Sequence, residues 1–93
     1  MAHVVRDNPA ENRYELEVDG TVAYSEYQRS PGRVTFTHTL VPESLGGRGI
    51  GSALAKGALD DVRKRGEKVV AECPFIRGYI EKHPELQDLL AGA

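Results

Sequence analysis

The sequence predicts an α+β domain, mixed α/β in its layering, with helices covering a largely antiparallel sheet. Three observations lead there. In the first half of the chain apolar residues alternate at every second position, the period of half-buried strands, and in the second half they recur at intervals of four, the period of an amphipathic helix. The links between the first strands are short, so neighbouring strands run antiparallel. The length of 93 residues leaves room for one domain, 1–93, and no second.

Arg13-Tyr14-Glu15-Leu16-Glu17-Val18 alternates polar and apolar and reads as a strand. Asp19-Gly20 follows, the pair favoured in a two-residue type I′ turn. A second strand, about Thr21–Gln28, carries Val22, Tyr24 and Tyr27, and Ser30-Pro31-Gly32 turns the chain again, proline presetting φ and glycine accepting positive φ. The third, Arg33–Val41, alternates with Val34, Phe36, His38 and Leu40 on one face. Ile50, Leu54 and Ala58 then begin a stripe that Ala53, Gly57 and Val62 widen, so a helix runs from about Ile50 to Arg65 with Gly66 as its C-cap. Lys68–Glu72 is a short strand that Pro74 stops, Phe75–Lys82 a second helix ending near Pro84, and Glu85–Leu90 a last apolar turn. The order is read as β-β-β-β-α-β-α, with three of the first four strands placed on residues.

Composition narrows the function classes. The chain is 40% hydrophobic and 28% charged, ordinary for a globular protein. No apolar run approaches the roughly 20 residues that span a bilayer. Met1 to Asp7 lack the charged and apolar regions of a signal peptide, so the expectation is a cytoplasmic protein without membrane association. A single cysteine, Cys73, excludes an intrachain disulfide, and with His3, His38 and His83 scattered along the chain no metal site is expected. Residues 1–45 hold 4 Lys/Arg against 7 Asp/Glu, whereas residues 46–82 hold 8 against 5. That basic stretch favours a phosphorylated ligand or is simply a solvated helix face, and nucleic-acid binders are usually far more basic.

The informative stretch is Val41-Pro42-Glu43-Ser44-Leu45-Gly46-Gly47-Arg48-Gly49-Ile50-Gly51-Ser52, which joins a strand to the first turn of the long helix. N–H groups there lack intrahelical partners and carry roughly half a unit of positive charge. Four glycines in six residues let a phosphate approach the backbone, and Arg48 can add a charged fork. The competing reading is a flexible loop in which Gly49 and Gly51 serve only to turn. A Walker loop requires Lys where Ser52 stands, and Gly47-Arg48-Gly49-Ile50-Gly51 has the wrong spacing for a dinucleotide fingerprint.

A motif of Arg/Gln-x-x-Gly-x-Gly/Ala after a strand ending in Val-Pro resembles the diphosphate-binding segment of the GCN5-related N-acetyltransferases. His38-Thr39-Leu40-Val41-Pro42-Glu43, Gly47-Arg48-Gly49-Ile50-Gly51-Ser52-Ala53-Leu54, Cys73-Pro74-Phe75 and Tyr79-Ile80-Glu81-Lys82-His83-Pro84-Glu85 extend the likeness to the small single-domain branch of that superfamily, across nearly the whole chain. Gly46 departs from the motif by replacing its leading Arg or Gln, which leaves the backbone donors in place. The resemblance implies a minimal acyl-CoA N-acyltransferase fold, with acetyl-coenzyme A as co-substrate. It implies that Gly46, Gly47, Arg48, Gly49, Ile50, Gly51 and Ser52 hold the diphosphate. Main-chain groups of Leu40 and Val41 would then face the pantetheine arm.

The same resemblance implies acetyl transfer to an amine, a reaction that needs a neutral nucleophile, a polarised carbonyl and a proton for the leaving thiolate. Cys73, in its Cys-Pro-Phe setting, is the first candidate, as a transient acyl acceptor or a proton donor; the alternative is a buried thiol used as a small apolar residue. Tyr79 is the second, since many of these enzymes protonate the sulfur with a tyrosine on this helix. Here Lys82 stands three residues on and His83-Pro84 replaces the usual Gly-Phe, and core packing competes with the catalytic role. His38 is a candidate base for the amine, or a core or rim histidine, while Glu43 serves as another base or shapes the loop. His83 is expected to cap a helix or to be exposed. The chain lacks the extended first helical region of larger relatives, so a non-catalytic acyl-CoA-binding or sensing module is the alternative to an enzyme, and a small interaction domain without a ligand is a third reading. The expected partner is an amine, small or on a protein, with the chain a monomer or weak dimer.

Overall fold

The structure, a computed structural model, describes residues 4–92. Strands Val5–Asn8 (β1), Arg13–Val18 (β2), Thr21–Ser30 (β3), Arg33–Leu40 (β4) and Lys68–Ala71 (β5) form one sheet in the order β1-β2-β3-β4-β5. The first four make an antiparallel meander. β5 lies parallel to β4, because the chain between them crosses over through a helix, Ile50–Lys64 (α1). A second helix, Pro74–Glu81 (α2), and two short 3-10 segments, Glu43–Leu45 and Pro84–Leu89, complete the chain. This is the mixed α+β architecture that the two apolar periods predict.

Local chemistry accounts for the turns. Asp19 and Gly20 both have positive φ, 52° and 80°, as a type I′ turn requires, and Val18 pairs with Thr21 across it. Gly66, at φ 71°, ends α1: its N–H donates to the Arg63 carbonyl and that of Glu67 to the Val62 carbonyl, the paired bonds of a Schellman cap. Boundaries differ from expectation by a residue or two. β3 continues to Ser30, which pairs with Arg33, and α1 stops at Lys64. Pro74 opens α2 rather than merely ending β5, since the first helical position has no use for the N–H that proline lacks. β1 is the strand for which the sequence offered no residues.

Both helices pack on one face of the sheet. Tyr14, Leu16, Ala23, Tyr27, Val34, Phe36 and Val69 bury against Ile50, Leu54, Ala58, Leu59 and Val62 of α1 and Ile76 and Ile80 of α2. The intervening strand residues, among them Arg13, Glu15, Tyr24 and Thr35, form an uncovered second face, where the Arg13 guanidinium lies 4.5 Å over the Tyr24 ring. The structure therefore has two layers. No described helix is long and apolar enough to cross a membrane.

Candidate functional site

The sheet opens at one place. β4 pairs with β5 only from Arg33 to Phe36, whereas beside β3 it continues to Leu40, opposite Tyr24. The Phe36 carbonyl accepts the N–H groups of Glu72 and Cys73, at 3.1 and 2.9 Å, and the chain then turns into α2. From Thr37 to Leu40, β4 has no described strand on its β5 side.

A bulge sits at the same level. Tyr27 is opposite Phe36 but Glu26 is opposite His38, so Thr37 is an extra residue and every later side chain changes face. His38 and Leu40 therefore do not share the apolar face of Val34 and Phe36, as alternation predicts, but lie exposed on the uncovered face. Thr39 takes the inner position instead. Its hydroxyl is 2.9 Å from that of Ser25, which is fully buried, and 3.2 Å from the Cys73 sulfur. Cys73 is itself buried, so its thiol is neither open to solvent nor in a wholly apolar setting: it ends a short row of hydroxyls inside the sheet opening. Ser25 and Thr39 were invisible to the sequence reading, because only the bulge brings them to Cys73.

The glycine loop borders this opening at the end of β4. Leu45 and Ile50, both buried, pin its two ends to the core. Between them Gly47 and Gly49 take positive φ, 77° and 70°, with open space around the missing Cβ atoms. Ala53 is the first residue of the helix to donate backward, to the Gly49 carbonyl at 3.0 Å. None of the amides of Gly47, Arg48, Gly49, Ile50, Gly51 or Ser52 donates to a described carbonyl, and no side chain caps them. Gly46 instead closes the 3-10 turn by donating to Glu43, which limits it to a supporting part. The Arg48 guanidinium is half exposed, 3.6 Å from the Asp19 carboxylate, an open pair too weak to fix it there. Leu40 is exposed at the lip of the opening and Val41 packs against the core.

Tyr79 stands elsewhere. Its ring stacks on His83 at 4.0 Å and faces a groove of about 660 Å³ with Lys56, Asp60, Arg63 and Asp88, a groove that does not include Cys73. Burial raises the Tyr79 hydroxyl above its ordinary range. His83 Nδ1 lies 2.7 Å from the Tyr79 carbonyl, so His83 caps the last turn of α2, one of the roles expected of it. The structure thus brings the loop, the end of β4 and Cys73 to one opening, where His38 faces the other side of the sheet, while Tyr79 lines the groove of Lys56 and Asp60. Among the described residues no three His, Cys, Asp or Glu side chains group as metal ligands, and His3 lies outside the described residues.

The profile of a family described as GCN5-related N-acetyl-transferase matches residues 13–89. The solution structure of a GCN5-like candidate N-acetyltransferase from Staphylococcus aureus superposes with a TM-score of 0.73 at 26% identity, covering 99% of this chain and 91% of that one. The protein NATD1 of Gallus gallus and of Mus musculus is 41% identical over 51 residues, 55% of this chain. That stretch is 46% of each NATD1 chain, so the match spans about half the length of these relatives.

Proposed function

The chain belongs to the GCN5-related N-acetyltransferase family, and on that premise we propose that it transfers an acetyl group from acetyl-coenzyme A to an amine. The observation that carries this reading is the run of unbonded amides from Gly47 to Ser52 beside an open sheet edge. Donors at a helix start, with glycines that admit close approach, suit a diphosphate. Arg48 belongs to the same loop, and its exposed pair with Asp19 is weak enough to give way to a phosphate. The main chain of Leu40 and Val41 supplies the polar groups along which a pantetheine arm extends toward Cys73.

In the transfer, the neutral amine nitrogen attacks the thioester carbonyl, a C–N bond forms, the C–S bond breaks, and the amine's surplus proton goes to solvent. Backbone N–H groups on the free edge of β4 stabilise the developing oxyanion, and orientation alone lowers the barrier by several kcal/mol. The leaving thiolate takes the Cys73 proton, with Thr39 holding the thiol in place, and Cys73 regains a proton from solvent before the next turnover. His38 and Tyr79 are left out of this scheme, because one faces away from the opening and the other lines a separate groove. Cys73 is also only 2% exposed, and that burial favours the second reading, a non-catalytic acyl-CoA-binding module.

Following free thiol release with acetyl-coenzyme A and a panel of amines separates the two. The enzyme reading expects release above background, and Cys73→Ala to cut it by at least about tenfold with coenzyme binding unchanged by calorimetry. Tight binding with no release for any amine establishes the module. Release undiminished in Cys73→Ala removes Cys73 from the chemistry.

A further inference from the structure

Phe75 has no part in that scheme, yet its position singles it out. Val4, Leu40 and Phe75 are the large apolar side chains that the described residues leave exposed, the last two at 42% each. Pro74 fixes the start of α2 and so places Phe75 in its first turn, two residues after Cys73. A Cβ built on Gly51 would stand 2.8 Å from Cζ of Phe75, 3.3 Å from its Cε1 and 3.5 Å from Cγ2 of Val41. The outer end of the ring therefore occupies the space that any side chain at position 51 would fill. It spans from the start of α2 to the start of α1, against the end of β4.

Phe75 therefore touches Gly51, one of the residues of the amide run, and follows Cys73 by two residues at the start of α2. A molecule with an anion at those amides and a thioester near Cys73 runs past Phe75, whose side chain is left part exposed. Contact with the ring rewards an apolar chain between two polar ends. We propose that Phe75 is the wall of the pantetheine channel, that it discriminates a phosphopantetheine ligand from a plain nucleoside diphosphate, and that Gly51 lacks a side chain so that the ring can seat there. The inference rests on the coenzyme A reading above and adds the residue that selects the arm.

The chain has no tryptophan, so Phe75→Trp gives a single emitter at the channel wall. Its emission is expected to shift with coenzyme A and with pantetheine and to stay unchanged with ADP. By calorimetry, Phe75→Ala weakens coenzyme A about tenfold, the loss of one ring contact, and weakens ADP by much less. Equal weakening of both ligands, or an equal emission response to both, overturns the assignment. A lack of coenzyme A binding by the unmodified protein overturns the coenzyme reading itself, and this inference with it. Because the ring is part exposed, Phe75→Ala is expected to fold, and the tryptophan variant gives its answer independently.

Discussion

Gly57 sets how closely α1 approaches the sheet. A Cβ there would collide with Cγ2 of Val5 in β1 and stand 2.6 Å from its Cβ, and a branched side chain cannot swing its own Cβ away. Alanine gains about 1 kcal/mol of helix propensity over glycine, but overpacking of this kind costs about 1–3 kcal/mol. Gly57→Ala is therefore expected to lower the urea midpoint, and Val5→Ala in the same chain to recover part of the loss. A single variant more stable than the parent contradicts the close approach. The apolar stripe of α1 pointed to position 57, but the reason for a glycine there was hidden, because its neighbour sits 52 residues away in a strand without a legible pattern. His38 makes the same point for the site: two-residue periodicity places it inward, and the extra residue at Thr37 turns it outward.

At the scale of elements, β1 and the C-terminal half of α1 are tied through ionic and phenolic groups. Asp7 points from β1 to the same side as Val5 and accepts from Tyr27, Arg29 and Arg65. Tyr14 donates to Asp61 of α1 at 2.7 Å and accepts from Arg29 at 2.8 Å. A carboxylate at an inward position is what hid β1 from an alternation rule that equates inward with apolar. Burial, reinforced by the hydrogen bond to Asp7, pushes the Tyr27 hydroxyl up to about 12, and burial with the Asp61 bond raises Tyr14 as well. A raised folded value means the associated stability is whole below pH ~10, where unfolded tyrosines are still protonated, and drains away as pH climbs toward the folded values. Thermal midpoints are expected to fall between pH 10 and about 12, and Tyr27→Phe to be less stable at neutral pH but to show a shallower alkaline decline. An identical slope in the variant removes Tyr27 from that decline. Burial works to raise the Asp61 carboxyl, but Tyr14 and Arg65 outweigh it and hold it below its ordinary range, so its contribution persists in mild acid and is lost only at lower pH.

At the scale of the molecule, charge divides along the chain, with 8 Lys/Arg against 5 Asp/Glu over residues 46–82 and the reverse balance before them. If a coenzyme's phosphates bind at Gly47 to Ser52, raising salt from about 0.1 to 1 M shortens the screening length from about 10 to about 3 Å and weakens binding severalfold. Arg48→Ala is expected to flatten that dependence, read by calorimetry at both salts, and a salt-independent affinity in the parent argues against phosphate at the loop. The features the sequence by itself determined are those whose causes lie within a few residues: the two apolar periods, the Asp19-Gly20 and Gly66 turns, the glycine-rich helix start, and hence the mixed fold. Only the tertiary structure decided that Thr39 joins Ser25 to Cys73, partners 14 and 34 residues away, that Phe75 seats on Gly51, and that Tyr79 faces a separate groove. Backbone preferences act locally and leave their signature in adjacent residues. Which side chains meet at a site depends on strand register and helix placement, and one bulged residue is enough to exchange the face they present.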